Sequence, residues 1–360
     1  VEFTFNSGDN GSGSIAFIKW TERNGNQDII NEEVWIDDVS VKAVNETSED
    51  DNYEMVWADD FNENQLDTSN WDYELGSIRG VEQEHYVNDP ENVYVKDGQL
   101  VLQVTDRDKE DQYKNPRGNR QVIYNSGSIR THGKKEFLYG RIEMKAKLPK
   151  GKGAFPAFWT LGSDFTLDGR ISSEQGAPWP VCGEIDIMEH RNAETQVIGT
   201  LHWNPSTTNY EHVYAGSETT KSFGAIDTIE NWHTYAIEWY EDCMKWYVDG
   251  ICYQTMNISS EQMDEFQRDH FIILNLALGS NSSPFTLNQT VSANFTNATM
   301  YVDYVRVFQG NNASFSIKNK KEGITQPETT TNRFSSMTSI NNDGNMHNIG
   351  QWNYLFAGSW

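Results

Sequence analysis

The sequence predicts an all-β protein, a β-sandwich, on three observations. Short stretches of alternating apolar and polar residues recur along the chain, helical periodicity is almost absent, and Gly, Asn, Asp and Pro turns punctuate the stretches. Aromatic residues number 12 Trp, 16 Tyr and 17 Phe, enough to fill a core with rings to spare.

In chain order the strand candidates are Leu100 to Val104, Gly140 to Lys147, Thr234 to Trp239, Lys245 to Val248, Phe271 to Leu276 and Met300 to Phe308. Asp249-Gly250 reads as a two-residue hairpin turn. That turn sets Cys252 opposite Tyr247 and leaves Cys243 about four residues along the strand, too far for a disulfide. With Cys182 the cysteines number three, an odd set, so free or buried thiols are expected. Ile258 to Phe266 reads as a short helical turn or a loop.

The run Gly183-Glu184-Ile185-Asp186-Ile187-Met188-Glu189-His190 concentrates the chemistry. Ile185 and Ile187 alternate with Glu184 and Asp186, the period of a strand with one core face and one polar face. Glu189 lies five residues from Glu184 and would point to the opposite face of a regular strand. One extra residue in a β-bulge near Met188 returns it beside the other two. Glu184 and Glu189 then behave as residues four apart, with Cα atoms roughly 13 Å apart. Inward-reaching side chains bring the carboxyls toward the roughly 5 to 5.5 Å of a retaining glycosidase rather than the roughly 6.5 to 9.5 Å of an inverting one. Asp186 between them adds a third negative charge that raises the proton affinity of its neighbours. Spacing alone leaves a solvated acidic face open. A metal set of Glu189, His190 and His202 lacks a recognised ligand spacing.

The surrounding motifs resemble glycoside hydrolase family 16, in its laminarinase (endo-1,3-β-glucanase) branch. They run in order from Val56-Trp57-Ala58-Asp59-Asp60-Phe61 and Glu91-Asn92-Val93-Tyr94-Val95-Lys96-Asp97-Gly98 through Tyr139-Gly140-Arg141 and Phe155-Pro156-Ala157-Phe158-Trp159. The acidic run, Gly199-Thr200-Leu201-His202-Trp203, Trp246-Tyr247-Val248-Asp249-Gly250 and Val302-Asp303-Tyr304-Val305-Arg306-Val307 complete the set. The resemblance implies a β-jelly-roll sandwich whose concave face carries the acidic strand at the floor of an open substrate cleft. It implies Glu184 as nucleophile, Asp186 as its helper and Glu189 as acid/base, with Trp159, Trp179 and Asn92 contacting sugar; His202, on the next polar-face strand, is placed to hydrogen-bond Asp186 or the sugar. Catalysis would need no cofactor. A structural Ca2+ is implied at Asp60, the Gly98 carbonyl and Asp303, since oxygen-only ligands suit a hard cation. Two departures touch sugar-contact loops: Ser128 stands where many laminarinases have Arg, and Ser282-Ser283-Pro284 follows Gly279-Ser280-Asn281. The segment Asp164 to Pro178, just before Trp179, is longer than usual.

The 360 residues carry a formal charge of −25, which excludes the basic stripe that nucleic acid requires. The same charge repels a sulfated polymer and leaves a neutral glucan unaffected. No stretch reads as a membrane-spanning helix or a signal peptide, so the chain reads as a mature or trimmed, secreted piece, and a monomer is expected. Residues 1–43 resemble part of a carbohydrate-binding β-sandwich, 44–52 a linker, 53–310 the catalytic domain, 311–346 a flexible linker, and 347–360 the start of a further β module. The expected activity is retaining endo-hydrolysis of β-1,3-glucan, and of mixed-linkage glucan as a wider range. The competing readings are an agarase- or carrageenase-like galactan hydrolase on the same scaffold and a non-catalytic β-glucan-binding protein. The last loses weight because both glutamates are present.

Overall fold

The computed structural model describes residues 53–116, 118, 120–166, 176–206, 211–218, 229–259, 261–281, 283–291 and 298–310. The expected terminal modules and linkers, 1–43, 44–52, 311–346 and 347–360, lie outside the described residues, as do 167–175 of the long segment before Trp179.

Two eight-stranded antiparallel sheets form a β-jelly roll. The first runs in the order Ile251–Asn257, Cys243–Val248, His233–Trp239, Gly140–Lys147, Thr299–Gly310, Gln99–Gln103 and Val93–Lys96, with Tyr53–Asp59 also paired to Thr299–Gly310. The second runs Val213–Glu218, Ile198–Trp203, Glu184–Glu189, Ala154–Gly162, His270–Leu278, Ser128–Arg130 and Asp72–Tyr73, with Glu136–Phe137 also paired to His270–Leu278. No described helix is long and apolar enough to cross a membrane.

Alternation decides the packing. In Gly140–Lys147, Ile142, Met144 and Ala146 are buried while Arg141, Glu143 and Lys145 are half-buried on the other face. The buried set meets Phe158, Ile185, Ile187 and Leu201 of the second sheet in one apolar core. The second sheet is apolar on its other face too. There Phe155, Ala157, Trp159, Leu161, Phe271 and Ile273 pack with Val81, Phe165, Trp179 and Val181 from the loops. Continuous burial on both faces explains why Ala154–Gly162 and His270–Leu278 are uninterrupted runs of buried residues.

The strands match their sequence signals closely. Gly140–Lys147 has the expected bounds, the Leu100 strand begins and ends one residue earlier, and the others extend by one or two residues at an end. Ile258 to Phe266 resolves into a 3₁₀ segment, Glu261–Gln267, kinked at Met263. Asp249 and Gly250 both have positive φ, 49° and 76°, the two left-handed positions of a type I′ turn. Tyr247 faces Cys252 as the hairpin predicts, a register shift between Trp246 and Tyr247 sets Cys243 opposite Asn257 rather than Met256, and all three thiols are free.

Candidate active site

The acidic strand is bulged where its spacing requires. Against Ala154–Gly162, Leu161 faces Glu184, Trp159 faces Asp186 and Ala157 faces Glu189, with a register shift between Phe158 and Trp159. Against Ile198–Trp203, Asp186 faces Thr200 and Glu189 faces Ile198, so three steps on the acidic strand span two on its partner. Ala157, Trp159 and Leu161 share the face away from the sandwich core, and the three carboxylates share it with them. Ile185, Ile187 and Met188 point into the core. Met188 absorbs the extra residue by joining Ile187 inside.

The carboxylates sit deep, with Glu184 3%, Asp186 2% and Glu189 6% exposed. Burial pushes all three well above the usual carboxylate range. Asp186 and Glu189 push Glu184 further up, and Asp186 does the same to Glu189. Three close carboxyls cannot all ionise, and their surroundings decide which one does. Glu184 has two groups that favour its anion: the Trp179 indole N–H, which donates to Oε2 over 3.1 Å, and the buried Arg79 guanidinium. Glu189 has only Arg191 to oppose burial, and its Oε2 is buried without a hydrogen bond. The carboxylate form of Glu184 thus has a hydrogen-bond donor and a buried cation beside it, and that of Glu189 has Arg191.

His202 stands opposite Glu184 on the neighbouring strand. Its Nε2 lies 3.3 Å from Asp186 Oδ2 and 3.6 Å from Glu184 Oε1, and its Nδ1 shares a proton with His212 Nε2 over 2.9 Å. Burial pushes His202 down to about 3 and His212 to about 4, so both imidazoles are neutral at neutral pH. Trp179, His212, His202 and Tyr214 form a continuous aromatic wall, with Trp179 and His212 centroids 4.5 Å apart and His202 and Tyr214 stacked at 5.8 Å. Tyr214 is 39% exposed and offers that wall an open ring.

The structure brings Trp179 and His202 to the carboxylates and changes the expectation for two other residues. Trp159 is 2% exposed, donates its indole N–H to Asn275 Oδ1 over 2.7 Å, and lies 5.0 Å beneath the Arg79 guanidinium. It stands beside Asp186 on the neighbouring strand. Asn92 is buried, and its amide group donates to the Gln103 carbonyl and Thr105 Oγ1, so it is a structural polar residue of its turn. The metal set Glu189, His190 and His202 does not assemble. His190 Nδ1 is engaged by the Gln196 carbonyl, and the group that does converge is Glu184, Asp186 and His202.

Sequence reasoning missed Arg79, His212 and Tyr214. The alternation of His212 and Tyr214 about Val213 was the available signal for two of them. Arg79 comes from the loop before Glu84–Tyr86, with Nη2 2.7 Å from Glu74 Oε2. The Ser128 hydroxyl donates to that same oxygen over 2.6 Å, so Ser128 supports the Arg79 ion pair. The other departure, Ser283, braces its loop by accepting from the Ser280 N–H and donating to the Val81 carbonyl.

Three buried carboxylates on one strand face, two of them glutamates, beside an aromatic wall are the equipment of a glycoside hydrolase. The sequence profile of Glycosyl hydrolases family 16 matches residues 81–306, and the chain belongs to that family. It is 36% identical over 275 residues to glucan endo-1,3-beta-glucosidase A1 of Niallia circulans, a match covering 71% of this chain and 38% of that relative. The match thus spans well under half of that protein's length. It is 30% identical over 307 residues to keratan-sulfate endo-1,4-beta-galactosidase of Sphingobacterium multivorum, covering 83% of this chain and 65% of that one. A crystal structure from Z. galactanivorans in complex with laminaritriose and laminaritetraose superposes with a TM-score of 0.59 at 29% identity, covering 71% of this chain and 98% of that one.

Proposed function

We propose that this chain is a secreted, retaining endo-hydrolase of β-1,3-glucan that also accepts mixed-linkage β-glucan. The observation that carries the chemistry is the register shift that sets Glu184, Asp186 and Glu189 on one face opposite Leu161, Trp159 and Ala157. Residues an effective four apart on one strand face suit the short carboxyl separation of a double displacement. Glu189 protonates the glycosidic oxygen while a Glu184 oxygen attacks the anomeric carbon, and the leaving chain departs as an alcohol. Glu189, now a carboxylate, takes a proton from water. The resulting oxygen nucleophile attacks the anomeric carbon of the glycosyl ester and frees Glu184. Asp186 and His202 hold the nucleophile in place. The relatives named above that act on or hold β-1,3-linked glucose support the substrate, as does the −25 charge, which favours a neutral polymer.

Reducing-sugar release from laminarin, mixed-linkage glucan and agarose, run beside Glu184→Ser, tests the reading. Rapid release from laminarin that disappears in the variant, with the β-anomer as the first product by NMR, supports it. Release from agarose alone keeps the carboxylate chemistry and overturns the polymer. Binding without release turns the reading to a glucan-binding protein.

A structural Ca2+ is a further part of the proposal. Asp59 faces Val305 and Leu100 faces Val302, so Asp60, Asp303 and the Gly98 turn meet at one corner of the first sheet. Asn62 Oδ1, 3.6 Å from where a Cβ on Gly98 would stand, adds an oxygen donor near that turn. Arg306 engages Asp60 Oδ1 and Lys145 engages Asp303 Oδ2, at 2.9 and 3.2 Å, so a calcium ion would share these carboxylates with two cations. A chelator that lowers the melting temperature, with Ca2+ restoring it, supports the site. We further propose a monomer that engages neither membrane nor nucleic acid, which sedimentation with and without DNA or vesicles would check.

A further inference from the structure

The convergence of Glu184, Asp186 and His202 has a second chemistry besides hydrolysis. One atom from each, a carboxylate oxygen from the two acids and a ring nitrogen from the histidine, all lie within 4.8 Å of one another. Zinc holds nitrogen and carboxylate ligands at about 2.0 to 2.2 Å in a tetrahedron, which sets its ligands roughly 3.4 Å apart. The edges from His202 Nε2 are 3.3 Å to Asp186 Oδ2 and 3.6 Å to Glu184 Oε1. Asp186 Oδ2 is buried and makes no hydrogen bond, because the close His202 contact lacks hydrogen-bond alignment.

The supporting shell is also that of a metal site. A ligating imidazole donates its second ring N–H to a fixed partner, and a ligating carboxylate is itself hydrogen-bonded. His202 Nδ1 meets His212 Nε2 at 2.9 Å, which permits the tautomer whose Nε2 lone pair faces the two carboxylates. Glu184 Oε2 accepts from Trp179. Three protein ligands leave a fourth position for water.

We propose that Glu184, Asp186 and His202 bind a divalent transition ion, Zn2+ by the nature of the ligands, and that its binding switches the hydrolase off by occupying the nucleophile. The inhibitory half rests on the reading of Glu184 given above, and the metal-binding half does not. Glu189 stays outside the ligand set, which gives the test its control.

Calorimetric titration of Zn2+ into the full chain at neutral pH is run on the wild type, Glu189→Gln and His202→Gln. One site of equal affinity in the wild type and Glu189→Gln, weakened about 100-fold or more in His202→Gln, supports the site, since even second-shell changes cost about 10- to 100-fold. Near-ultraviolet circular dichroism checks that His202→Gln is folded; should it not fold, Asp186→Asn takes its place with the same expected loss. No saturable binding to the wild type, or equal affinity in the ligand variant, overturns the site. Wild-type hydrolysis should fall over the concentration range in which Zn2+ binds and return on chelation. Full activity at saturating Zn2+ overturns the inhibition. Failure of the glucanase reading would leave the titration unaffected.

Discussion

Trp246, from the first sheet, donates its indole N–H to the backbone carbonyl of Asp186 over 2.8 Å, across the sandwich core. The bulge removes a ladder partner at this point, and a buried carbonyl must be satisfied elsewhere. Gly199, on the strand beside the bulge, makes room: a Cβ there would meet Trp246 Cδ1 at 2.4 Å. Core and catalytic strand are thus joined through one hydrogen bond. Trp246→Phe leaves the carbonyl without its donor at a cost of about 1 to 3 kcal/mol. Because small displacements of reacting groups are expensive, kcat should also fall by about tenfold or more while KM changes little. Thermal unfolding and steady-state kinetics on laminarin check both, and an unchanged kcat would separate the bulge from this anchor.

The acidic cluster stores instability that varies with pH. Burial raises Asp186 in the folded state, so between the unfolded carboxylate value of about 3.9 and that raised value the folded chain binds more protons than the unfolded one. Its contribution to stability is full below that window and is lost as pH rises through it. Glu184 and Glu189 act in the same direction. Asp186→Asn cannot ionise and should therefore stabilise the protein by about 0.5 to 2 kcal/mol at neutral pH while lowering kcat. The gain should fade toward about pH 4. Melting temperatures of both proteins across this range test the sign, and a gain that grew in acid would contradict it.

Glu74 behaves in the opposite way. Burial alone would raise it, but Arg79, Arg130 and the Ser128 hydroxyl hold it below its ordinary value. Its stabilisation is present above the unfolded value of about 4.3 and is lost as pH falls through the lowered folded value. Arg79→Met leaves Glu74 buried beside only the more distant Arg130, 3.9 Å away, and should cost about 3 to 5 kcal/mol. Adding Glu74→Gln should recover much of that loss. Arg79 also lowers Glu184, so the acid limb of kcat/KM should move to higher pH in either variant. A pH–rate profile with no shift would reduce Arg79 to a purely structural residue.

Local parity made much of this legible before any coordinates. The five-residue step from Glu184 to Glu189 demanded a bulge because side chains alternate every residue, and the Asp249-Gly250 pair demanded a type I′ turn because both positions need positive φ. Partners distant in sequence left no such trace. Trp159 and Arg79 are 80 residues apart, and no periodicity states that a guanidinium covers that ring. Asn92 sits beside strand residues whose spacing is evident, yet its amide turns to Gln103 and Thr105 across a hairpin, so a polar residue read as sugar-facing became internal support. His212 carries no motif and gains meaning only from the pairing of Tyr214 with His202.

The bulge itself can be tested by changing the length of the strand. Deleting Met188 places the three carboxylates at regular alternate positions, which keeps all of them on the site face. The lost buried side chain should cost about 2 to 5 kcal/mol, yet hydrolysis should survive. Inserting one alanine after Met188 sets Glu189 six residues from Glu184: a kept bulge gives an effective five and turns the carboxyl into the core, and a regular strand keeps it on the site face but two residues farther away. That variant should lose about 10²- to 10⁴-fold in kcat, the contribution of a positioned general acid. The two variants differ from the wild type by one residue in opposite directions, so strain alone affects both. If the deletion is the inactive one and the insertion retains activity, the short same-face spacing of Glu184 and Glu189 is not what the reaction requires.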